Sequence, residues 1–361
     1  MNKNYFAIIM AGGIGSRFWP ISRTSYPKQF IDILGTGKTL IQNTYDRFLK
    51  ICPPENIYIV TNENYADLVK EQLPAIENHQ ILTEPVMRNT APCVAYGSYK
   101  IESLNADSVI VVAPSDHLIL NEQAFVDSIN KSLETAATQD CLITLGIKPS
   151  RPDTGYGYIQ YTDQLLNHDF HKVKTFTEKP TLEIAKSFLQ SGDFLWNAGI
   201  FVWSAKSIVK AFGKHLPDMH DIFAEARSVY NTDRERNHVN TAYQQCINIS
   251  IDYGIMEKAE NVYVLPSEFG WSDLGTWTSV YQLTEKDYVG NAVIPSEKVI
   301  MYDSSNCMVN VPQEKLVVLQ GLHDFIVVES NNTLMICPRD QEQSVKQIVA
   351  DVKQKFGAKY I

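Results

Sequence analysis

Residues 5–30 read YFAIIMAGGIGSRFWPISRTSYPKQF. The apolar run at 5–10 has the composition of a buried parallel strand. It leads directly into Ala11, Gly12, Gly13, Ile14, Gly15, Ser16 and Arg17. Glycines at 12, 13 and 15 let the backbone approach a bulky anion and aim successive N–H groups at it. Arg17 adds a planar cationic fork suited to phosphate, and Lys28 adds a point charge. The glycines alone would favour a plain tight turn between strand and helix. With Arg17 and Lys28 behind them, they describe a cradle for a triphosphate.

The spacing also says which kind of cradle this is. The dinucleotide fingerprint G-x-G-x-x-G is absent, because the order here is G-G-x-G-x-R. Gly35-Thr36-Gly37-Lys38-Thr39 imitates the end of a P-loop, but that motif needs a glycine where Asp32 stands, and no strand precedes it. The segment is expected to be a polar turn before a helix that starts near Thr39.

The run Gly12-Gly13-Ile14-Gly15-Ser16-Arg17-Phe18-Trp19-Pro20, followed by Pro27-Lys28-Gln29-Phe30, resembles the signature of the sugar-1-phosphate nucleotidyltransferases. The forms Phe-Trp-Pro and Tyr-Pro-Lys-Gln-Phe are similar to one branch of that family, the mannose-1-phosphate guanylyltransferases or GDP-mannose pyrophosphorylases. Further matching segments lie at 84–91, 114–117, 155–158, 177–180, 196–201 and 271–275, so the resemblance spans most of the first 285 residues.

Composition sets bounds that agree. A chain of 361 residues suggests ~2 domains, and 44% hydrophobic content is ample for a core. A net charge of −9 argues against nucleic acid or an anionic membrane as partner, so any phosphate site must be a local island of positive charge. Six scattered cysteines without a C-x-x-C pair fit reduced core thiols in a cytoplasmic protein. The run at 5–10 is too short for a signal peptide, and no apolar stretch approaches the ~20 residues of a membrane span.

Short apolar runs at 5–10, 57–61, 80–83, 108–113 and 141–146 alternate with amphipathic segments at 39–51, 62–73, 90–104 and 121–138. This pattern predicts an α/β fold: a Rossmann-like, mixed but mostly parallel sheet flanked by helices. Antiparallel strands are expected at 156–161, 173–177 and 194–203, then a helical region at 205–231 and a charged stretch at 232–238. Residues 1–285 are read as the catalytic domain. Residues 286–361 are read as a small β-rich unit with a final helix at 340–356, which the resemblance makes β-helix-like.

The chemistry to be served is nucleotidyl transfer. Several negative charges meet in line, so the protein must supply cations, metal ions and positioning. Asp116, after an apolar strand, and Asp273, in Gly-Trp-Ser-Asp-Leu-Gly, are the candidate metal ligands. Either alone would serve as a helix cap, but beside a triphosphate loop the pair suits Mg²⁺, which takes one or two carboxylates plus phosphate and water. His117 is left to a structural or supporting role. Arg17, Lys28, Asp116 and Asp273 form the expected catalytic set. Ala11, Gly12, Gly13, Gly15, Ser16, Arg17 and Lys28 would cradle the nucleotide. Glu84, through carboxylate or backbone, would accept from a guanine edge, with Arg88, Asn89 and Thr90 at the following helix start.

For the sugar phosphate, Gly157 offers close backbone approach, Glu178 an acceptor, Lys179 a cation and Asn197 an amide in an apolar strand. The resemblance assigns the matching Glu, Lys and Asn to the sugar site. Asp252, in the first turn of a helix expected at 250–258, is explained by the helix dipole, while the resemblance places a similar segment near the sugar pocket with a supporting role left unassigned. The resemblance implies GTP and α-mannose-1-phosphate as substrates and GDP-mannose and pyrophosphate as products; a homodimer is one candidate assembly, and the sequence does not fix the oligomeric state. Two other readings are a transferase for a different sugar-1-phosphate and a non-catalytic regulator that binds the nucleotide-sugar. Metal ligands count against the second.

Overall fold

The computed structural model describes residues 1–295 and 297–361. Its contacts gather into two compact units. The first comprises Met1–Gly12, Thr44–Ser115 and Ile119–Trp271. The second comprises Gly13–Asn43, Asp116–Leu118 and Ser272–Ile361.

The first unit is built on one mixed sheet. In spatial order its strands are Ile81–Glu84, Ile57–Asn62, Tyr5–Ala11, Val109–Pro114, Phe194–Ser204, Leu142–Ile147, Val262–Ser267, His171–Glu178 and Gly157–Leu165. The first four are parallel, with Ala7 opposite Ile57 and Tyr5 opposite Val109. Ala7, Ile8 and Ile9 are wholly buried, as an unbroken apolar run in a sheet covered on both faces requires. The helix Thr90–Leu104 lies so close to this strand that a Cβ on Gly97 would stand 2.6 Å from Ile8 Cδ1.

Leu142–Ile147 is not the next neighbour of Val109–Pro114. The long strand Phe194–Ser204 runs antiparallel between them, with Ile110 opposite Trp203 and Ile143 opposite Val202. Local pattern separates parallel from antiparallel runs but carries no information on that insertion. The expected helical region at 205–231 is divided into Ala205–His215 and Pro217–Glu225, because proline starts a helix well and continues one badly. Part of the charged stretch that follows opens another helix, Glu235–Gln245.

The second unit joins the signature loop to the C-terminal residues. Strands Ala292–Ile294, Met308–Asn310 and Phe325–Ser330 stack in parallel, as do Val299–Tyr302 and Val317–Gln320, giving the coil of a short β-helix. Thr333–Pro338 closes it antiparallel to Phe325–Ser330. Its core contains Phe18, Trp19 and Ile31 from the loop region together with Trp277, Met308, Val328 and Val345. Phe18 meets Trp277 edge to face at 5.1 Å. The Trp19 indole N–H donates to the Tyr360 carbonyl at 2.7 Å, and Arg23 donates to the Ser330 carbonyl at 3.1 Å. The P-loop look-alike is the polar turn expected of it. The Asp32 carboxylate accepts from the N–H groups of Thr36 and Gly37, which removes them as phosphate donors.

Trp277 is fully buried beneath Phe18. Trp277→Ala should cost about 3–5 kcal/mol, the usual range for truncating a buried aromatic. Denaturant unfolding followed by circular dichroism measures it, and a loss below about 1 kcal/mol would contradict this packing.

Candidate active site

In the second unit the loop, the Asp116 segment and the turn at 272–275 line one cleft of about 310 Å³. Gly15 has φ +69°, and a Cβ there would stand 2.4 Å from Lys28 Cβ. Only glycine lets Lys28 pass beneath the loop. Nothing lies within 4 Å of a Cβ built on Gly13, and within its own unit Gly12 meets only Glu84 Oε2, at 3.9 Å. The open space at Gly13 suits an approaching ligand.

Lys28 is 4% exposed. Its ammonium donates to Asp116 Oδ2 at 3.0 Å and to the Asp273 carbonyl at 2.7 Å. Burial would raise the Asp116 pKa, but the charges of Lys28 and His117 and the Lys28 hydrogen bond outweigh it, so the carboxyl lies below its ordinary range. About 30% of the Asp116 side chain remains open to solvent. His117 lines the same cleft, its Nε2 3.9 Å from Asp116 Oδ1.

Asp273 sits in a sharp turn. Leu274 has φ +44°, a costly conformation for a branched residue, and its side chain is wholly buried in the core. That anchor turns its neighbours toward the cleft, where Asp273 Oδ1 accepts from the Gly275 N–H at 2.8 Å. Arg17 donates from Nη1 to the Gly275 carbonyl at 3.3 Å, while its Nε is buried with no hydrogen-bond partner among the described residues. A guanidinium held this loosely retains donors for an anion.

In the first unit, Ala11 ends its strand, with its carbonyl accepting from Thr61 Oγ1 at 2.7 Å. Glu84 ends another and is 4% exposed. Tyr243 donates to Glu84 Oε1 at 2.8 Å, and Asn62 donates to the Glu84 carbonyl at 3.3 Å. Burial pushes the Glu84 carboxyl up to about 7, against the opposing Tyr243 hydrogen bond. Asn89, at φ +67°, accepts from the Thr90 N–H, the Thr90 hydroxyl accepts from the Ile251 N–H, and the Ala91 N–H donates to the Ile249 carbonyl. The first donors of this helix are therefore engaged within the protein. Arg88 Nε is buried with no hydrogen-bond partner among the described residues.

The sugar candidates form a second cluster in the same unit. A Cβ on Gly157 would stand 2.5 Å from Glu178 Oε2 and 3.5 Å from Asn197 Cβ, so glycine is what lets this cluster close. Lys179 Nζ lies 2.7 Å from Glu178 Oε1. Asn197 accepts from the Gly199 N–H at 3.0 Å and donates to Asp252 Oδ1 at 2.7 Å. Asp252 opens the π-helical segment Asp252–Met256. Burial raises its pKa against the Asn197 hydrogen bond, with the Glu178 charge adding to the rise. The dipole account of Asp252 does not include this contact, which joins it to the half-buried Asn197 amide 55 residues away.

The model for the family described as Nucleotidyl transferase matches residues 6–289, and that for the MannoseP isomerase/GMP-like beta-helix domain matches residues 297–352. This chain belongs to the nucleotidyl transferase family. It is 37% identical to the alginate biosynthesis protein AlgA of Pseudomonas syringae pv. tomato, over 96% of this chain and 72% of the relative. It is 34% identical to a mannose-1-phosphate guanylyltransferase of Klebsiella pneumoniae, over 98% of this chain and 75% of the relative. A crystal structure described as mannose-1-phosphate geranyltransferase from Thermus thermophilus superposes with a TM-score of 0.86 at 28% identity, covering 97% of this chain and 99% of that one. The nucleotidyltransferase fold, with its mixed sheet and C-terminal β-rich unit, is thus shared over nearly the whole length.

Nucleotidyltransferases work on a nucleoside triphosphate and a sugar-1-phosphate and generally use a divalent cation. The donors at the cleft are carboxylates, which suits a hard cation that completes its shell with phosphate and water. Among the described residues no group of three or more His, Cys, Asp and Glu is gathered to hold a metal, and no described helix is long and apolar enough to cross a membrane.

The raised Glu84 pKa has a definite sign. Protonated Glu84 is favoured by the fold, so its contribution to stability is complete below about pH 4.5 and is lost as pH rises through about 7. Glu84→Gln, neutral at every pH, should gain on the wild type by up to about 3 kcal/mol between pH 5 and 8. Denaturant unfolding across that range measures the difference, and a pH-independent difference would refute the assignment.

Proposed function

We propose that the chain is a mannose-1-phosphate guanylyltransferase, converting GTP and α-D-mannose 1-phosphate to GDP-mannose and diphosphate. The observation that carries this reading is the cleft itself: a glycine loop, Arg17, Lys28 and two aspartates, in a chain whose relatives include enzymes of that name. A sugar-phosphate oxygen attacks the α-phosphorus of GTP, a new P–O bond forms, and the bond to the β-phosphate oxygen breaks to release diphosphate.

The residues divide the work. The backbone of Ala11, Gly12, Gly13, Gly15 and Ser16 receives the triphosphate, and Arg17 and Lys28 neutralise charge that builds toward the transition state. Asp116 and Asp273 would hold Mg²⁺, which when bound supplies further positive charge to the phosphates. Glu84, with Arg88, Asn89 and Thr90, is assigned to the guanine nucleotide. With its first helix donors engaged, this segment serves through side chains and carbonyls. Gly157, Glu178, Lys179 and Asn197 take the sugar phosphate, with Asp252 orienting the Asn197 amide. Residues 1–285 are assigned to catalysis and 286–361 to the smaller β-rich domain. Six free, buried cysteines fit a cytoplasmic enzyme. The outward Ile300, Tyr302 and Val318 of the β-helix unit fit a homodimer contact.

Initial rates of pyrophosphate release for each nucleoside triphosphate with each of several sugar-1-phosphates test the proposal. GTP with mannose-1-phosphate should give the highest kcat/KM, because a site built around particular polar groups rejects analogues that leave them unpaired. Faster use of glucose-1-phosphate, UTP or dTTP would overturn the substrate assignment, and absence of turnover with every pair would favour the regulator.

A further inference from the structure

The cleft has a contributor that the signature motifs do not contain. Lys346 lines it beside Arg17, Lys28, Asp116 and Asp273, and it comes from the C-terminal helix Val345–Phe356. Its position is fixed from both ends of that helix. Val345, the preceding residue, is fully buried in the core that holds Phe18 and Trp19. Beyond the helix, the Tyr360 carbonyl accepts from the Trp19 indole. Phe18 and Trp19 follow Arg17 directly, so the segment that carries the loop's arginine also carries the helix that presents Lys346.

Charge makes the placement consequential. The cations Arg17 and Lys28 are matched in the cleft lining by the carboxylates of Asp116 and Asp273. Lys28 is moreover committed to Asp116 and to the Asp273 carbonyl. With His117 neutral, the lining carries three formal cations and two carboxylates once Lys346 is counted, in a chain whose overall charge is −9. It is exposed, on a stem long enough to follow a phosphate group.

We infer that Lys346 is a third cation of the triphosphate cradle, a substrate-contacting residue supplied by the C-terminal helix. The inference rests on the proposed reading of the cleft as a nucleoside-triphosphate site. It gives that helix a part in substrate binding in addition to packing.

The test is binding without turnover, by titration calorimetry of the full chain with inorganic tripolyphosphate, GTP and GMP. Lys346→Gln should raise the Kd for tripolyphosphate and for GTP roughly tenfold, as loss of one charge-assisted contact would. The Kd for GMP should change less than about twofold, and Lys346→Arg should restore most of the loss. An unaltered melting temperature is expected, since the side chain is exposed. Unchanged tripolyphosphate and GTP affinities in Lys346→Gln, with tight binding by the wild type, would overturn the role of Lys346 and leave the proposed function standing. Equal weakening of GMP would overturn it as well. Failure of the wild type to bind either triphosphate would bring down the reading of the cleft and this inference with it.

Discussion

A buried ammonium organises this molecule's second unit. Lys28 is almost wholly removed from water, and an unpaired charge in that position would be prohibitively costly. Its partners, the Asp116 carboxylate and the Asp273 carbonyl, lie 88 and 245 residues away in sequence. Satisfying one side chain therefore brings three remote segments together. The left-handed glycine above it and the Phe18 ring 5.7 Å beneath it complete the socket. The same three segments line the cleft, so the groups proposed to act on phosphate are positioned by the requirement that Lys28 be paired.

That constraint reaches into the C-terminal β-helix through packing. Phe18 packs edge-on against Trp277, and Leu274 is driven into the same core at a backbone angle that a leucine avoids. Strain of this kind persists only where surrounding structure over-determines it. Here its effect is to turn Asp273 and Gly275 outward on either side of a buried anchor. The β-helix residues thereby share one core with the loop, which is why the contact-defined second unit begins at Gly13 and does not coincide with the C-terminal residues alone.

Much of this was legible in the sequence, for identifiable reasons. The loop, its cations and the strand before it are contiguous, so residues 5–30 carry the cradle in their order alone. Asp32 was enough to dismiss the P-loop look-alike, and the structure shows that carboxylate capping the very N–H groups in question. What stayed hidden depends on long-range pairing. The insertion of Phe194–Ser204 between two parallel strands, the hydrogen bond from Asn197 to Asp252 and the arrival of Lys346 at the cleft are each made by residues far apart in the chain. Gly15 shows the same limit at short range: its freedom serves the passage of Lys28 as much as the approach of an anion. The Thr90 N–H is capped by its neighbour Asn89, but the engagement of the Ala91 N–H could not be foreseen, because the distant Ile249 supplies its acceptor.

The most direct measurement of the central claim is a double-mutant cycle on stability with Lys28→Met, Asp116→Asn and the pair combined. If the Lys28–Asp116 pair is the constraint on which the cleft is assembled, the two losses will be strongly non-additive, with a coupling of about 1.5–3 kcal/mol. A coupling below about 0.3 kcal/mol, the scatter of independent sites, would show that the cleft is held together without it.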